Sequence, residues 1–275
     1  MMAVTDVIYE RLPELSECDR KIACAVLKNP VGVVDSTISE LAALAGVSSA
    51  SITRFCRNLG LSGFHQLKIE LARMSENGQP EAAGKDSCEE KLRSFVSDKE
   101  KEIEKTFANL PQEKCAQICE KLLDARKIQV IAEGNTYANA QDAVYKFSQA
   151  GLFAFSSSSW ETALAQTLLL GSGDVLLVLS NSGEARGLLT QIEEAVKRGV
   201  TVISLTNHES SPIASVSDIH WSTSARPKVL MSEYYYSRIA LSAAIEALFI
   251  LILKKEPERL ERIKFHESLM ADRKI

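Results

Sequence analysis

Apolar and polar positions follow two different rhythms along this chain. Up to about residue 74 the apolar residues recur every three to four positions, the spacing of helices with one buried face. Ile22, Ala23, Val26 and Leu27 form one such stripe. It ends near Asn29 and Pro30, because proline lacks the amide hydrogen that a helix interior needs. Ile38, Leu41, Ala42 and Ala45 form a second stripe; Ile52, Phe55, Cys56 and Leu59 form a third, which stops before Gly60. Residues 75–87, S-E-N-G-Q-P-E-A-A-G-K-D-S, have no apolar rhythm and read as a linker. A charged helix follows over 88–109, with Leu92, Phe95, Ile103 and Phe107 on one side, and another starts at Pro111. From Ile128 the rhythm changes. Short apolar runs at 128–132, 152–155, 174–179 and 200–205 predict strands, and helices are predicted near 136–149, 160–170, 185–198 and 236–254. This alternation predicts an α/β domain with a parallel sheet covered by helices on both faces. The expected division is an all-α domain at 1–74, a linker at 75–87 and the α/β domain at 88–275.

The helical part carries a specific pattern. Thr37-Ile38-Ser39-Glu40 is a capping box, in which Thr37 caps the helix and Glu40 reaches back. Gly46 suits a left-handed turn position after that helix. Val47 follows as a buried turn residue, and Ser48 caps the next helix. Two short helices joined by a tight glycine turn make a helix-turn-helix. Each residue advances about 100° around a helix, so Ala50, Thr53, Arg54 and Arg57 fall opposite Ile52 and Phe55. That is the face a recognition helix lays in a major groove. Arg54 and Arg57 suit guanine edges or phosphates, Ser49 and Thr53 suit phosphates or bases, and Ala50 suits a thymine methyl. Lys68 and Arg73 on the next helix are expected backbone contacts. The candidate DNA-binding set is Ser48, Ser49, Ala50, Thr53, Arg54, Arg57 and Lys68.

The α/β part carries two strand–turn–helix junctions suited to anions. Val175 to Leu179 read as a strand buried on both faces, followed by Ser180-Asn181-Ser182-Gly183-Glu184 and a helix from Ala185. Unpaired amide groups and the helix dipole favour negative charge at such a start, and the two serine hydroxyls add donors. Ile128 to Ala132 lead similarly into Glu133-Gly134-Asn135-Thr136, where Thr136 is the expected N-cap and a ligand donor. In a parallel sheet both loops emerge at the carboxyl edge, where ligands bind. Glu133, Glu184 and Glu233 are candidates for sugar hydroxyls, and Arg238 for a phosphate or carboxylate. The candidate effector-binding set is Ser180, Asn181, Ser182, Gly183, Glu133, Gly134, Asn135, Thr136 and Arg238.

Composition narrows this picture. The 275 residues carry a formal net charge of -4, which does not describe a general polyanion binder. Residues 45–74 nevertheless place Arg54, Arg57, Lys68 and Arg73 against the single acid Glu70. The six cysteines lack any C-x-x-C pair, and Cys115 and Cys119 read as a thiol pair on one helix face. No disulfide framework, metal site or cofactor is expected, which fits a reducing cytosol. His208, His220 and His266 read as surface or packing histidines. No signal peptide is read at the start, and the run Ile239 to Leu253 is too short to span a bilayer, carries Glu246 and reads as a buried helix.

At these residues the chain resembles a known family. T-I-S-E-L-A-A-L-A-G-V-S-S-A-S-I-T-R-F-C-R-N-L-G-L-S-G-F-H-Q-L-K at 37–68 resembles the N-terminal domain of RpiR-type bacterial transcription regulators. V-L-S-N-S-G-E-A-R at 178–186 and Y-S-R-I-A-L at 236–241 resemble their sugar isomerase (SIS) domain. The resemblance implies a cytoplasmic regulator of sugar metabolism that binds a double-stranded DNA operator. It implies that the SIS domain senses a phosphosugar or a sugar-acid phosphate. In SIS domains S-x-S-G-x-T usually holds the phosphate; here it falls on Ser180, Ser182, Gly183 and Ala185, so the final hydroxyl is missing. The first loop, usually G-x-G-x-S, is Ala132, Glu133, Gly134, Asn135 and Thr136. A homodimer or homotetramer is expected, since paired half-sites about 34–36 Å apart need paired helices. The alternative is an enzyme, a phosphosugar isomerase or deaminase with an accessory helical domain. For that reading Glu133, Glu184 or Glu233 would be the base, but no pair stands out.

Overall fold

The computed structural model describes residues 4–78, 88–108, 110–223 and 237–271. They fall into two compact units that divide within one helix, between Asp98 and Lys99.

The first unit is helical. Its helices are α1 (Val4–Arg11), α2 (Glu17–Lys28), α3 (Pro30–Val34), α4 (Ile38–Ala45), α5 (Ser49–Asn58) and α6 (Phe64–Gly78), followed by α7 (Cys88–Ala108), which crosses the division. Pro30 does more than end α2. Asn29 accepts from the Gly32 amide, and Pro30 opens α3 as its first residue, where its missing N–H costs nothing. The expected stripes converge: Ile22, Ala23, Val26, Leu41, Ala42, Ala45, Ile52, Phe55, Cys56 and Leu59 share one core with Leu67 and Leu71. Helix α6 runs to Gly78, so residues 75–78 of the expected linker are helical; the rest of it, 79–87, lies outside the described residues.

In the second unit α8 (Gln112–Asp124) leads into β1 (Ile128–Ala132), α9 (Tyr137–Gln149), β2 (Ala154–Phe155), α10 (Trp160–Thr167) and β3 (Val175–Ser180). Then come α11 (Arg186–Lys197), β4 (Thr201–Thr206), α12 (Pro212–Ser215), β5 (Ile219–Ser222), α13 (Ile239–Lys255) and α14 (Arg259–Ala271). All strands are parallel, in the order β2-β1-β3-β4-β5. Alternate residues of the central strands feed opposite cores. Val130, Leu177 and Leu179 join α8, α9 and α13, while Ile131, Leu176 and Val178 join α11 and α12. Every residue of β1 and β3 is buried, the pattern of strands covered on both faces.

Three elements escape the periodicity reading. Strand β5 has four residues with alternating burial at the sheet edge, too few to show a rhythm. Helix α12 has four residues. Helix α14 has no buried residue, so no apolar stripe marks it. The reading of the Ile239–Leu253 run as a buried helix needs correction, because Ile250 and Leu251 are exposed on α13.

Strand order matters most for function. The chain passes from β1 to β2 on one side and to β3 on the other, so β1 and β3 are neighbours whose following helices cover opposite faces. Such a switch point opens a crevice at the carboxyl ends of the two strands.

A buried polar knot fixes the helices around it. Gln129 of β1 is fully buried, and its amide donates to the Ala163 carbonyl at 2.8 Å. Thr167 Oγ1 lies 3.0 Å from Gln129 Oε1 and 3.3 Å from Gln191 Oε1. These contacts hold α10 and α11 to β1, since a buried amide left unpaired costs about 1–3 kcal/mol.

Candidate functional site

The helix-turn-helix closes as its sequence requires. Thr37 Oγ1 accepts from the Glu40 amide and Glu40 accepts from the Thr37 amide, completing the capping box. Gly46 is left-handed at φ 65, and the amides of Gly46 and Val47 return to the Ala43 and Ala42 carbonyls. Ser48 caps α5 through the Ser51 amide. Ile52, Phe55 and Cys56 are buried, which leaves Ala50, Arg54 and Arg57 exposed and Ser49 and Thr53 half-exposed on the other face. Ser48 is exposed at the start of the same face.

Lys68 departs from expectation. It is buried, its Nζ donates to the Ser36 carbonyl at 3.2 Å, and it stands 5.1 Å from the Phe64 ring centroid. Lys68 ties α6 to the α3–α4 connection and is removed from the DNA-contact set. The wheel places it one step from Leu67, where a long side chain can fold inward as easily as outward. Arg73 is exposed and pairs with Glu70 at 2.8 Å.

In the second unit the two expected loops meet at the switch point, after β1 and after β3. Ser180 and Asn181 are buried. Ser180 Oγ accepts from the Gly183 amide at 3.1 Å, and Ser182 Oγ accepts from the Glu184 amide at 3.3 Å. Each hydroxyl thus keeps its proton for another acceptor. Helix α11 has Ala185 as its N-cap, with no side-chain cap bond. The missing hydroxyl at Ala185 therefore coincides with an uncapped helix start, where backbone donors are oriented toward the loop.

The loop is braced from β4. Gly183 lies at φ 67, and a Cβ there would collide with Ser211 and stand 3.3 Å from the Thr206 Cβ. The Asn207 amide donates to the Asn181 carbonyl at 3.0 Å, and the Ile213 amide to the Gly183 carbonyl at 3.0 Å.

Thr136 stands at the expected N-cap position of α9. It is buried, but its side chain makes no cap bond to α9. Its backbone is already helical, closing a short 3-10 turn over Gly134–Thr136, so the hydroxyl is not placed to receive the amides of the next turn. Glu133, Gly134 and Asn135 face solvent at the end of β1, and partial burial raises the Glu133 carboxyl above its ordinary pKa. Arg238 has an exposed side chain, and its carbonyl accepts from Asn139 Nδ2 at 3.3 Å. Glu233 lies outside the described residues. Glu184 is half-exposed at the loop's end.

Asn139, Ser242 and Gly187 of this site were not legible as such, whereas Asn181 was expected. Asn139 of α9 is buried and also donates to Ser242 Oγ at 2.9 Å. Asn181 Nδ2 donates to the Ser237 carbonyl at 3.3 Å. Two amides from the two sides of the switch point thus hold consecutive carbonyls before α13. Gly187 offered a signal: a glycine in the first turn of a strongly amphipathic helix costs about 1 kcal/mol relative to alanine and marks a close approach.

A helix-turn-helix unit joined to a doubly wound sheet with an anion-suited loop defines a two-domain regulator. Residues 2–78 match the helix-turn-helix domain of the rpiR family, and residues 121–251 match the SIS domain. An uncharacterised HTH-type transcriptional regulator of Caldanaerobacter subterraneus subsp. tengcongensis is 31% identical over 260 residues, 93% of this chain and 92% of that one. The HTH-type transcriptional regulator HexR of Pseudomonas aeruginosa is 30% identical over 226 residues, 80% of this chain and 78% of its own. The chain belongs to the RpiR family of HTH-type transcriptional regulators. Its fold matches the Vibrio vulnificus NanR protein complexed with ManNAc-6P, with a TM-score of 0.83 at 22% identity over 98% of this chain and 99% of that one. Among the described residues no helix is long and apolar enough to cross a membrane.

Proposed function

We propose that this protein binds an operator through α5 and senses a phosphosugar at the switch point between β1 and β3. The observation that carries the reading is the loop Ser180–Glu184: two hydroxyls with protons to spare beside a helix start that no side chain caps. A dianionic phosphate matches that donor set. The solved NanR complex, which holds ManNAc-6P in a chain of the same fold, supports this. The Ser180 and Ser182 hydroxyls and the uncapped amides at the start of α11 receive the phosphate, with Gly183 shaping the turn between them, and Asn135 and Thr136 close from β1. Arg238 adds charge from the start of α13.

Ser48, Ser49, Ala50, Thr53, Arg54 and Arg57 form the DNA face. The effector shifts DNA affinity by binding one conformation better than the other. The role is regulatory, not enzymatic, and the protein works in the cytoplasm. We further propose a homodimer or homotetramer, which supplies paired recognition helices; exposed apolar residues Ile250 and Leu251 on α13 and Phe265 and Leu269 on α14 support an assembly.

The test is thermal shift of parent and Ser180→Ala against a phosphosugar panel, with operator selection from a DNA library. An effector at 100 times its Kd stabilises the parent by about 2.7 kcal/mol, and Ser180→Ala is expected to lose most of that. Absence of any salt-sensitive, sequence-selective DNA binding would refute the regulatory reading.

A further inference from the structure

Glu133 extends from the end of β1 to the first turn of α11. A Cβ on Gly187 would stand 2.8 Å from Trp160 Nε1 and closer still to Glu133 Oε1. The Trp160 indole donates to the Gly187 carbonyl at 3.3 Å, and the residue is 41% exposed. Gly187 therefore leaves space that a carboxylate and an indole share. Trp160 opens α10, whose far end the Gln129–Thr167–Gln191 knot holds beside α11, and the indole bond to Gly187 anchors the ring itself. Among the described residues no hydrogen bond or ion pair engages the Glu133 carboxylate, which leaves its lone pairs to accept.

A fixed, exposed aromatic face beside an unengaged carboxylate suits a polyol. The ring covers the apolar C–H face of a sugar, and the carboxylate accepts from two hydroxyls. The same carboxylate repels a second carboxylate, and like charges at close range are a strong means of excluding a competitor. Trp160, Glu133 and Gly187 belong to elements that start at the carboxyl edge beside the Ser180–Glu184 loop. A ligand with its phosphate on that loop extends its other end along the edge.

We infer that Glu133, Trp160 and Gly187 form the subsite for the sugar end of the effector, and that it selects a neutral or amino phosphosugar against a sugar-acid phosphate. The inference rests on the phosphate reading of the Ser180–Glu184 loop and sharpens it. Protonation of Glu133 removes the repulsion. Because partial burial raises that carboxyl's pKa, discrimination weakens as pH falls toward the carboxylate range.

The experiment is calorimetric titration of the full chain with glucosamine 6-phosphate, fructose 6-phosphate, N-acetylmannosamine 6-phosphate, 6-phosphogluconate and inorganic phosphate, on parent, Glu133→Gln and Trp160→Ala. The parent is expected to bind at least one neutral or amino phosphosugar about tenfold or more tighter than 6-phosphogluconate, a gap of about 1.4 kcal/mol. Glu133→Gln is expected to close most of that gap while leaving inorganic phosphate affinity unchanged. Trp160→Ala is expected to weaken all the sugar phosphates and spare inorganic phosphate. Equal or tighter binding of 6-phosphogluconate by the parent, or an unchanged ratio in Glu133→Gln, overturns the subsite with the phosphate loop intact. If neither the sugar phosphates nor inorganic phosphate bind the parent, the phosphate reading fails and the subsite falls with it.

Discussion

The side-chain amide of Asn181 donates to the main-chain carbonyl of Ser237, 3.3 Å away. Asn181 belongs to the loop that follows β3, and Ser237 stands just before α13. Asn139, from the helix after β1, holds the next carbonyl at Arg238. These two bonds link the loop and the helix after β1 directly to the start of α13. The Asn181 side-chain amide, an expected ligand donor, is committed to Ser237, so Asn181→Ala is expected to retain effector binding, seen as a thermal shift, while reducing the effector's influence on DNA affinity. Coupling of this kind is typically about 1–3 kcal/mol. The measurement is the ratio of operator Kd with and without the tightest-binding phosphosugar. A ratio equal to the parent's removes Asn181 from the coupling.

Gly183 cannot be replaced cheaply. Its φ of 67 and its contact with fully buried Ser211 both exclude a Cβ. Left-handed strain of about 1–2 kcal/mol adds to overpacking of about 1–3 kcal/mol. Gly183→Ala is expected to lower denaturant stability of the second unit and to abolish the effector-induced thermal shift. Wild-type stability in this variant would show that the loop is not held as tightly as its contacts imply.

Lys68 separates a structural lysine from a DNA contact. Lys68→Met keeps the volume but loses the bond to Ser36 and the contact with Phe64. Stability is expected to fall by about 1–3 kcal/mol, the cost of an unpaired buried acceptor, while the salt dependence of DNA binding stays as in the parent. Arg54→Ala and Arg57→Ala are expected to do the reverse: each lowers the slope of log K against log salt by about 1 and leaves effector binding intact. A lowered slope in Lys68→Met would return that residue to the DNA face.

The cysteines divide by burial. Burial pushes the Cys56 thiol up to about 12 and the Cys119 thiol up to about 11, whereas Cys24 and Cys88 are exposed. A thiol-specific reagent at pH 8 is expected to label Cys24 and Cys88 in the native protein and to reach Cys56 and Cys119 only after unfolding, because the thiolate is the reactive species. Mass spectrometry of the labelled peptides reads this out, and fast native labelling of Cys56 would contradict the packing of α5.

Glu133 makes stability depend on pH in a defined sense. Its folded pKa is raised by partial burial, so the folded state holds the proton more tightly than the unfolded chain. Stability is therefore lost as pH rises from the ordinary carboxylate pKa through the raised one. Glu133→Gln removes that dependence. The variant is expected to match the parent in melting temperature at acid pH and to exceed it slightly at pH 7. A variant less stable than the parent at pH 7 would show that the ionised carboxylate has a stabilising partner.

Much of this molecule was legible in local sequence. The Thr37–Glu40 box, Gly46 and Ser48 lie within a few residues of the groups they satisfy, so short-range chemistry specifies the helix-turn-helix. The short apolar runs that became β1 and β3, each followed by a glycine-containing polar turn, read as buried strands and are fully buried in the structure. The sequence by itself thus determined the helix-turn-helix, the strands β1, β3 and β4 and the Ser180–Glu184 loop, but not β5, α12, α14 or the division between Asp98 and Lys99. Only the tertiary structure decided that β1 and β3 are neighbours, that Lys68 folds inward onto Ser36, and that Gly187 makes room for Glu133 and Trp160. Periodicity sets which face of an element is buried, but it carries no information about which distant residue that face will meet. Those meetings come from strand order and side-chain packing between segments tens of residues apart.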